Sequence, residues 1–122
     1  MKILLLLNTL FELAIGVLML VMPTLFFPDL VRAVDQMALS YALVRGFAFA
    51  ALAIAGLSGL MVLRPLTPEV RFSGLGALAL FHLGLTITQL MNVIEGLVPI
   101  PVLIIHGVFA LVFWAAFIWS WR

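Results

Sequence analysis

The stretch SGLGALALFHLGLTITQLMNVI, residues 73–94, decides the fold of this chain. It contains no Asp, Glu, Lys or Arg, and a helix needs about 20 mainly apolar residues to cross the hydrocarbon core of a bilayer. Its length and composition therefore predict a transmembrane α-helix. The same stretch carries His82, Thr86 and Gln89, which are polar residues at positions where leucine would satisfy the lipid equally well.

The rest of the chain has the same apolar character. Of its 122 residues, 66% are hydrophobic and 9% are charged, whereas about 25% of the residues in a soluble domain are charged. Because so few charged groups do not cover the surface of a soluble protein, lipid must cover it. We predict an all-α fold, a four-transmembrane-helix bundle that forms a single integral membrane domain over residues 1–122. The predicted helices are roughly 3–22, 41–63, 73–94 and 99–120.

The longest connection, residues 23–40, has a helical pattern of its own. In PDLVRAVDQMALS, residues 28–40, apolar residues fall on one face of a helix and charged residues on the opposite face. The apolar face consists of Leu30, Val31, Val34 and Met37. This pattern predicts a short interfacial helix between helices one and two, and an irregular loop is the alternative.

Basic residues predict the orientation of the chain in the membrane. With four spans, both termini and the 64–71 connection lie on one side. The basic residues on that side are Lys2, Arg64, Arg71 and Arg122. The opposite loops carry Arg32, and Arg45 lies just inside a helix. Because cytoplasmic segments carry the excess of Lys and Arg, we expect both termini in the cytoplasm.

The polar residues of the third helix share one face. Successive residues of an α-helix are rotated by about 100°, so His82, Thr86 and Gln89 fall within a stripe of about 60°. Polar and ionisable groups are costly in hydrocarbon, and they usually face the bundle interior and find partners there. We therefore expect this stripe to face neighbouring helices.

The other helices carry polar groups at matching depths. Glu12 lies in the first helix, Arg45 near the outer end of the second and His106 in the fourth. At about 1.5 Å per residue, all three lie in the non-cytoplasmic half of the membrane, and Glu12 and Arg45 differ in depth by about 8 Å. We predict a buried Glu12–Arg45 ion pair within a polar cluster in the outer half of the bundle. The predicted cluster consists of Glu12, Arg45, His82, Thr86, Gln89 and His106.

Small residues predict where helices approach closely. Such residues let the backbones of membrane helices come together. Those on one side of the second helix are Ala48, Ala51, Ala55 and Gly59. In the third helix, Gly76 and Gly84 indicate similar contacts.

Several roles are open to the polar cluster. One role is a hydrogen-bond network that holds the helices together. A second is a pocket for a lipid, quinone or small amphipathic molecule. A third is a pathway for protons or solutes. A haem b site is a further alternative, with His82 and His106 as axial ligands on consecutive helices. The first expectation is no cofactor. We also expect no bound metal ion, because the ligand spacings H-x-x-x-H and E-x-x-H are absent from the sequence.

Composition and motifs exclude several classes of function. The chain has no cysteine, so thiol chemistry and disulfides are excluded, and its net charge of +1 gives no reason to expect a nucleic-acid partner. The sequence contains no hydrolase elbow, phosphate loop or dinucleotide fingerprint, so we expect a protein that is not an enzyme. The expected partners are membrane lipid and either a second copy of the chain in a homo-oligomer or a larger membrane complex.

Three motifs resemble those of small bacterial DoxX-like membrane proteins. They are GVLMLVMP at residues 16–23, ALVRGFAFAALAIAGL at 42–57 and EGLVPIP at 95–101. In that family an arginine followed by small residues opens the second helix, as Arg45 and Gly46 do here. The resemblance implies a four-helix protein of the bacterial inner membrane that accompanies redox or lipid-linked partners. The cysteines of some relatives are absent, so a thiol-redox role does not carry over.

These observations together favour a non-enzymatic accessory protein, or one that binds a lipid or another small hydrophobic ligand at the polar cluster. A small proton-coupled transporter is one alternative, because Glu12 is an intramembrane carboxylate. A redox membrane subunit that holds haem b or a quinone is the other.

Overall fold

The computed structural model describes residues 1–25, 37–96 and 99–120, with the side chains of the second helix described from Leu43 onward. Its elements are α1 Lys2–Val21, a 3₁₀ turn Pro23–Leu25, α2 Met37–Leu63, α3 Pro68–Ile94 and α4 Ile100–Ser120. The described ranges contain no β-strand. The predicted all-α class with four long helices is confirmed.

All four helices are long and apolar enough to cross a membrane. Large apolar side chains also remain exposed on them, such as Leu111, which is 74% exposed, and Leu80, which is 62% exposed. In water such a surface leads to aggregation, whereas in a bilayer it contacts lipid. The helices therefore agree with the prediction of a multi-pass membrane protein.

Helix α3 begins five residues earlier than predicted, at Pro68 and not at residue 73. Thr67 is its N-cap, and the backbone N–H of Val70 donates to the Thr67 hydroxyl over 3.4 Å. Proline is favoured in the first turn, where its missing N–H costs nothing, and Glu69 in that turn complements the helix dipole. The sequence TPEV therefore starts a helix, and the connection after α2 is shorter than the predicted turn.

The predicted interfacial helix, residues 28–40, lies largely outside the described residues. Pro23–Leu25 forms a single 3₁₀ turn, and residues 26–36 are not described. From Met37 onward the chain already belongs to α2, which begins four residues before the predicted start at residue 41. The interfacial helix stays a prediction.

Lys2–Leu63 forms one compact unit, the first hairpin, in which α1 packs against α2. Asn8 lies beside Ser58, whereas Gly16, two turns further along α1, lies against Leu52. Because residue numbers rise along α1 while those of its partners fall along α2, the two helices run antiparallel.

The buried side of α2 in this hairpin includes small residues that the sequence indicated. They are Ala48, Ala51 and Ala55, each at most 5% exposed. A Cβ atom on Gly16 would lie 2.7 Å from Leu52 Cγ and 3.0 Å from the carbonyl oxygen of Ala48. The absence of a side chain at Gly16 therefore sets how closely the two helices approach.

Arg64–Arg122 belongs to the other unit, the second hairpin, in which α3 packs antiparallel against α4. A Cβ atom on Gly76 would lie 3.0 Å from Phe117 Cε2, so the predicted close contact at Gly76 is confirmed. The same prediction for Gly84 is wrong, because Gly84 is exposed and a Cβ there would meet nothing within 4 Å. The buried apolar side chains of this hairpin are Leu75, Leu78, Ala79, Ala110 and Phe113.

Candidate functional site

Two buried histidines meet inside the second hairpin. His82 of α3 is 0% exposed and His106 of α4 is 7% exposed. Their ring centroids are 5.8 Å apart, with an angle of 29° between the ring planes. A ring nitrogen of His82 lies within 4.8 Å of a ring nitrogen of His106. We call these two side chains the imidazole pair.

Phenylalanine rings hold His82 in place. The Phe109 ring lies 5.0 Å from the His82 ring at 21°, and the Phe113 ring lies 5.4 Å away and within 5° of parallel. Phe81 adds an edge contact at 5.2 Å. Each of these contacts restricts rotation of the imidazole, and stacked or edge-on rings contribute about 0.5–1.5 kcal/mol per pair beyond their burial. The imidazole pair therefore lies in an aromatic environment.

The two helices are also in contact one turn from the imidazole pair. A Cβ on Gly107, the residue after His106, would lie 3.8 Å from Thr86 Cγ2, and the Thr86 hydroxyl donates to the backbone carbonyl of His82 over 2.7 Å. A porphyrin between axial histidines needs a flat slot between the helices that carry them. The described contacts of the second hairpin close that slot, so they do not favour the haem b alternative.

Two amide side chains form a second polar group on α3, further towards its end. The Asn92 Nδ2 group donates to Gln89 Oε1 over 3.3 Å, and both side chains are half-buried. In the described part of the chain, neither the Gln89 NH₂ group nor the Asn92 carbonyl oxygen has a further hydrogen bond. We call these two side chains the amide pair. It presents N–H donors and a carbonyl acceptor on a membrane-length helix.

The first hairpin contains a hydrogen-bond network that was not predicted from the sequence. Asn8 Nδ2 donates to Ser58 Oγ over 3.2 Å, and the Thr9 hydroxyl lies 2.9 Å from the same atom. Ser58 is completely buried, and its own hydroxyl donates to the carbonyl of Ile54 over 2.9 Å. The sequence spacing could have indicated that Ser58 is buried in the hairpin, because Ser58 follows Ala55 by three residues and so continues the small-residue face of α2.

The predicted Glu12–Arg45 ion pair is not supported by the register of the first hairpin. Gly16 lies opposite residues 48–52 and Asn8 lies opposite Ser58, so Glu12 falls opposite residues near 54. Arg45 is nine residues away from that level, which corresponds to about 14 Å along the helix axis. Glu12 is buried whereas Arg45 is exposed. The depth estimate failed because it assumed that α1 ends and α2 begins at the same depth, whereas the register places Val21, the last residue of α1, opposite residues near 45.

The predicted site residues therefore have different local partners. His82 and His106 contact each other directly, Thr86 bonds to its own helix, and Gln89 bonds to Asn92. The prediction of a single cluster that joins all four helices, Glu12 and Arg45 included, stays a prediction.

Comparison with protein-family models, curated proteins and solved structures gives no match to this chain. The DoxX-like resemblance therefore stays a prediction that rests on its three short motifs. The proton-coupled transporter and the redox subunit also stay alternatives, because these comparisons do not test them.

Proposed function

We propose that this protein is a non-enzymatic membrane protein that binds a small amphipathic ligand, and that the amide pair of α3 contacts the ligand's polar group. The observation that supports the proposal is the donor and acceptor that Gln89 and Asn92 leave on a half-buried face of a membrane-length helix. An amide group in apolar surroundings without a hydrogen-bond partner costs several kcal/mol. A bound polar head group offsets that cost.

The position of the amide pair indicates the chemistry of the ligand. Asn92 lies two residues from the end of α3, which ends at Ile94, so it lies about 3 Å along the axis from that end. Large apolar side chains around it are exposed, including Leu90 at 48% and Met91 at 56%. A carbonyl or hydroxyl group joined to an alkyl or isoprenoid tail matches both features. Ester lipids and quinones share this chemistry.

The test is retention of the ligand by the purified, full-length protein in a mild detergent. Native mass spectrometry reports bound lipids, and an organic extract read by ultraviolet absorbance reports quinones. We expect the double variant Gln89→Leu/Asn92→Leu to lose most of the retained ligand, because it removes both the donor and the acceptor. Thr88→Val is the matched control, since the exposed Thr88 hydroxyl bonds to the Gly84 carbonyl of its own helix over 3.0 Å.

Equal retention by the double variant and by Thr88→Val would contradict the proposal. Thermal unfolding of both variants, followed by helical circular dichroism, separates loss of ligand from loss of fold.

The same mass spectra measure whether the protein is a homo-oligomer, which is our proposal for its protein partner.

We also propose that the protein resides in a bacterial inner membrane with both termini in the cytoplasm. The distribution of basic residues supports this orientation, because Lys2, Arg64 and Arg71 lie on the proposed cytoplasmic side. A reporter that is active only in the cytoplasm, fused after residue 122, should be active. Activity of a periplasmic reporter at the same position would reverse the orientation.

A further inference from the structure

We infer that the imidazole pair of the second hairpin is a binding site for a transition-metal ion that accepts nitrogen ligands, of the zinc, cobalt or copper class. This site is separate from the amide pair, because His82 lies seven residues before Gln89 on α3 and His106 lies on α4. The sequence did not predict a metal site because the two ligands lie 24 residues apart and on different helices.

The distance between the rings suits coordination of one ion. Metal–nitrogen bonds to histidine are about 2.0–2.1 Å long, which places the centroids of two imidazoles on the same ion about 5–6.5 Å apart, depending on the bond angle. The centroids of His82 and His106 are 5.8 Å apart. Their nearest ring nitrogens lie within 4.8 Å, and coordination requires about 3.3–4 Å. A small rotation of the His106 imidazole closes the difference.

The two imidazole ligands select the class of ion. Calcium and magnesium require several oxygen ligands, whereas imidazole is a preferred ligand of zinc, copper, nickel and iron. Within the hairpin, the rings of Phe81, Phe109 and Phe113 contact His82. These contacts hold the His82 ring in place before the ion arrives. Two imidazoles occupy two coordination positions, so the remaining positions accept water or another ligand.

The experiment uses the full-length protein, purified in detergent, with any metal removed by a chelator. Cobalt(II) is the probe, because tetrahedral cobalt with nitrogen ligands absorbs in the visible range, and zinc(II) is then added as a competitor. We expect one equivalent of cobalt to bind, zinc to displace it, and zinc to raise the midpoint of thermal unfolding. His82→Leu and His106→Leu should each weaken cobalt binding by about tenfold or more.

Replacement of one histidine by cysteine tests whether cobalt binds at that position. The chain has no cysteine, so in the variant His106→Cys any thiolate-to-cobalt charge-transfer band comes from position 106. We expect this variant to keep cobalt and to gain that band. Thr88→Val serves as the control and should bind cobalt as the wild type does.

Two results would overturn the inference. One is the absence of stoichiometric cobalt binding by the wild-type protein. The other is undiminished binding by folded His82→Leu and His106→Leu variants, which means that cobalt binds elsewhere, for example at the terminal amine. Neither result depends on the lipid measurements, so this site and the ligand site of the amide pair are tested separately.

Discussion

The first hairpin is held by small residues and hydrogen bonds, whereas the second is held mainly by aromatic rings. In the first, Gly16 allows α1 to lie against the carbonyl of Ala48, and Ser58 accepts a hydrogen bond from Asn8. In the second, the rings of Phe109 and Phe113 pack on His82. Both hairpins nevertheless have the same antiparallel arrangement.

The difference shows two ways to stabilise helix contacts in lipid. Lipid tails are as apolar as leucine, so apolar side chains gain little by leaving lipid for a neighbouring helix. Close backbone approach and interhelical hydrogen bonds provide stability in the first hairpin. Ring stacking and dense packing provide it in the second, where the Phe72 and Phe117 rings also meet at 4.8 Å. The first hairpin therefore depends on small residues that allow the helices to approach closely, and the second depends on large aromatic side chains.

The largest effect is expected from filling the closest approach in the first hairpin. Gly16→Leu places a side chain where even a Cβ would lie 2.7 Å from Leu52 Cγ. Overpacking of this kind costs about 1–3 kcal/mol, and we expect about 3 kcal/mol in the free energy of unfolding measured by detergent denaturation. Gly56→Leu is the control, since nothing lies within 4 Å of a Cβ there. Similar losses in the two variants would mean that α1 and α2 do not meet at Gly16.

The second hairpin should respond most to removal of a ring. Phe113 is 0% exposed and stacks on His82. A residual cavity costs about 24 cal/mol per Å³, so removal of roughly 100 Å³ in Phe113→Ala should lower the free energy of unfolding by about 2 kcal/mol. Leu111→Ala, at a 74% exposed position on the same helix, should have little effect. Equal effects at the two positions would contradict the packing of α4 on α3.

A smaller effect is expected from the hydrogen-bond network of the first hairpin. Ser58→Ala removes the acceptor of the Asn8 amide and the hydroxyl beside Thr9. Interhelical hydrogen bonds in membranes are worth about 0.6 kcal/mol on average and up to about 1.7 kcal/mol, so we expect a loss of about 1 kcal/mol. The exposed Ser73→Ala serves for comparison in the same unfolding assay. A loss no greater than that of Ser73→Ala would show that the network does not contribute.

The smallest expected effect is the coupling between Glu12 and Arg45. Residues more than about 7–10 Å apart with no shared partner usually show additive effects within about 0.3–0.5 kcal/mol. We therefore expect Glu12→Gln and Arg45→Met to add in a double-mutant cycle measured by unfolding. A coupling free energy above about 1 kcal/mol would instead support the Glu12–Arg45 ion pair, which the register of the first hairpin contradicts.

The sequence predicted the secondary structure well and the contacts poorly. The four helices follow from apolar runs, and the small-residue face of α2 at Ala48, Ala51 and Ala55 follows from spacing within one helix. The Glu12–Arg45 pair failed because it required the register between two helices. The early start of α3 at Pro68 was missed because the N-cap signal of Thr67 was interpreted as a turn.

By itself, the sequence determined that this chain is all-α with four membrane-length helices, because apolarity and helical period are local properties that lipid selects directly. The tertiary structure decided which side chains meet. It placed Gly16 against α2, separated Arg45 from the level of Glu12, and joined His82 to His106. In lipid, one apolar helix face packs against a neighbouring helix about as favourably as another. Hydrophobicity therefore does not fix the register between two helices. Steric fit of side chains across the helix contact fixes it, and that fit involves residues far apart in the chain.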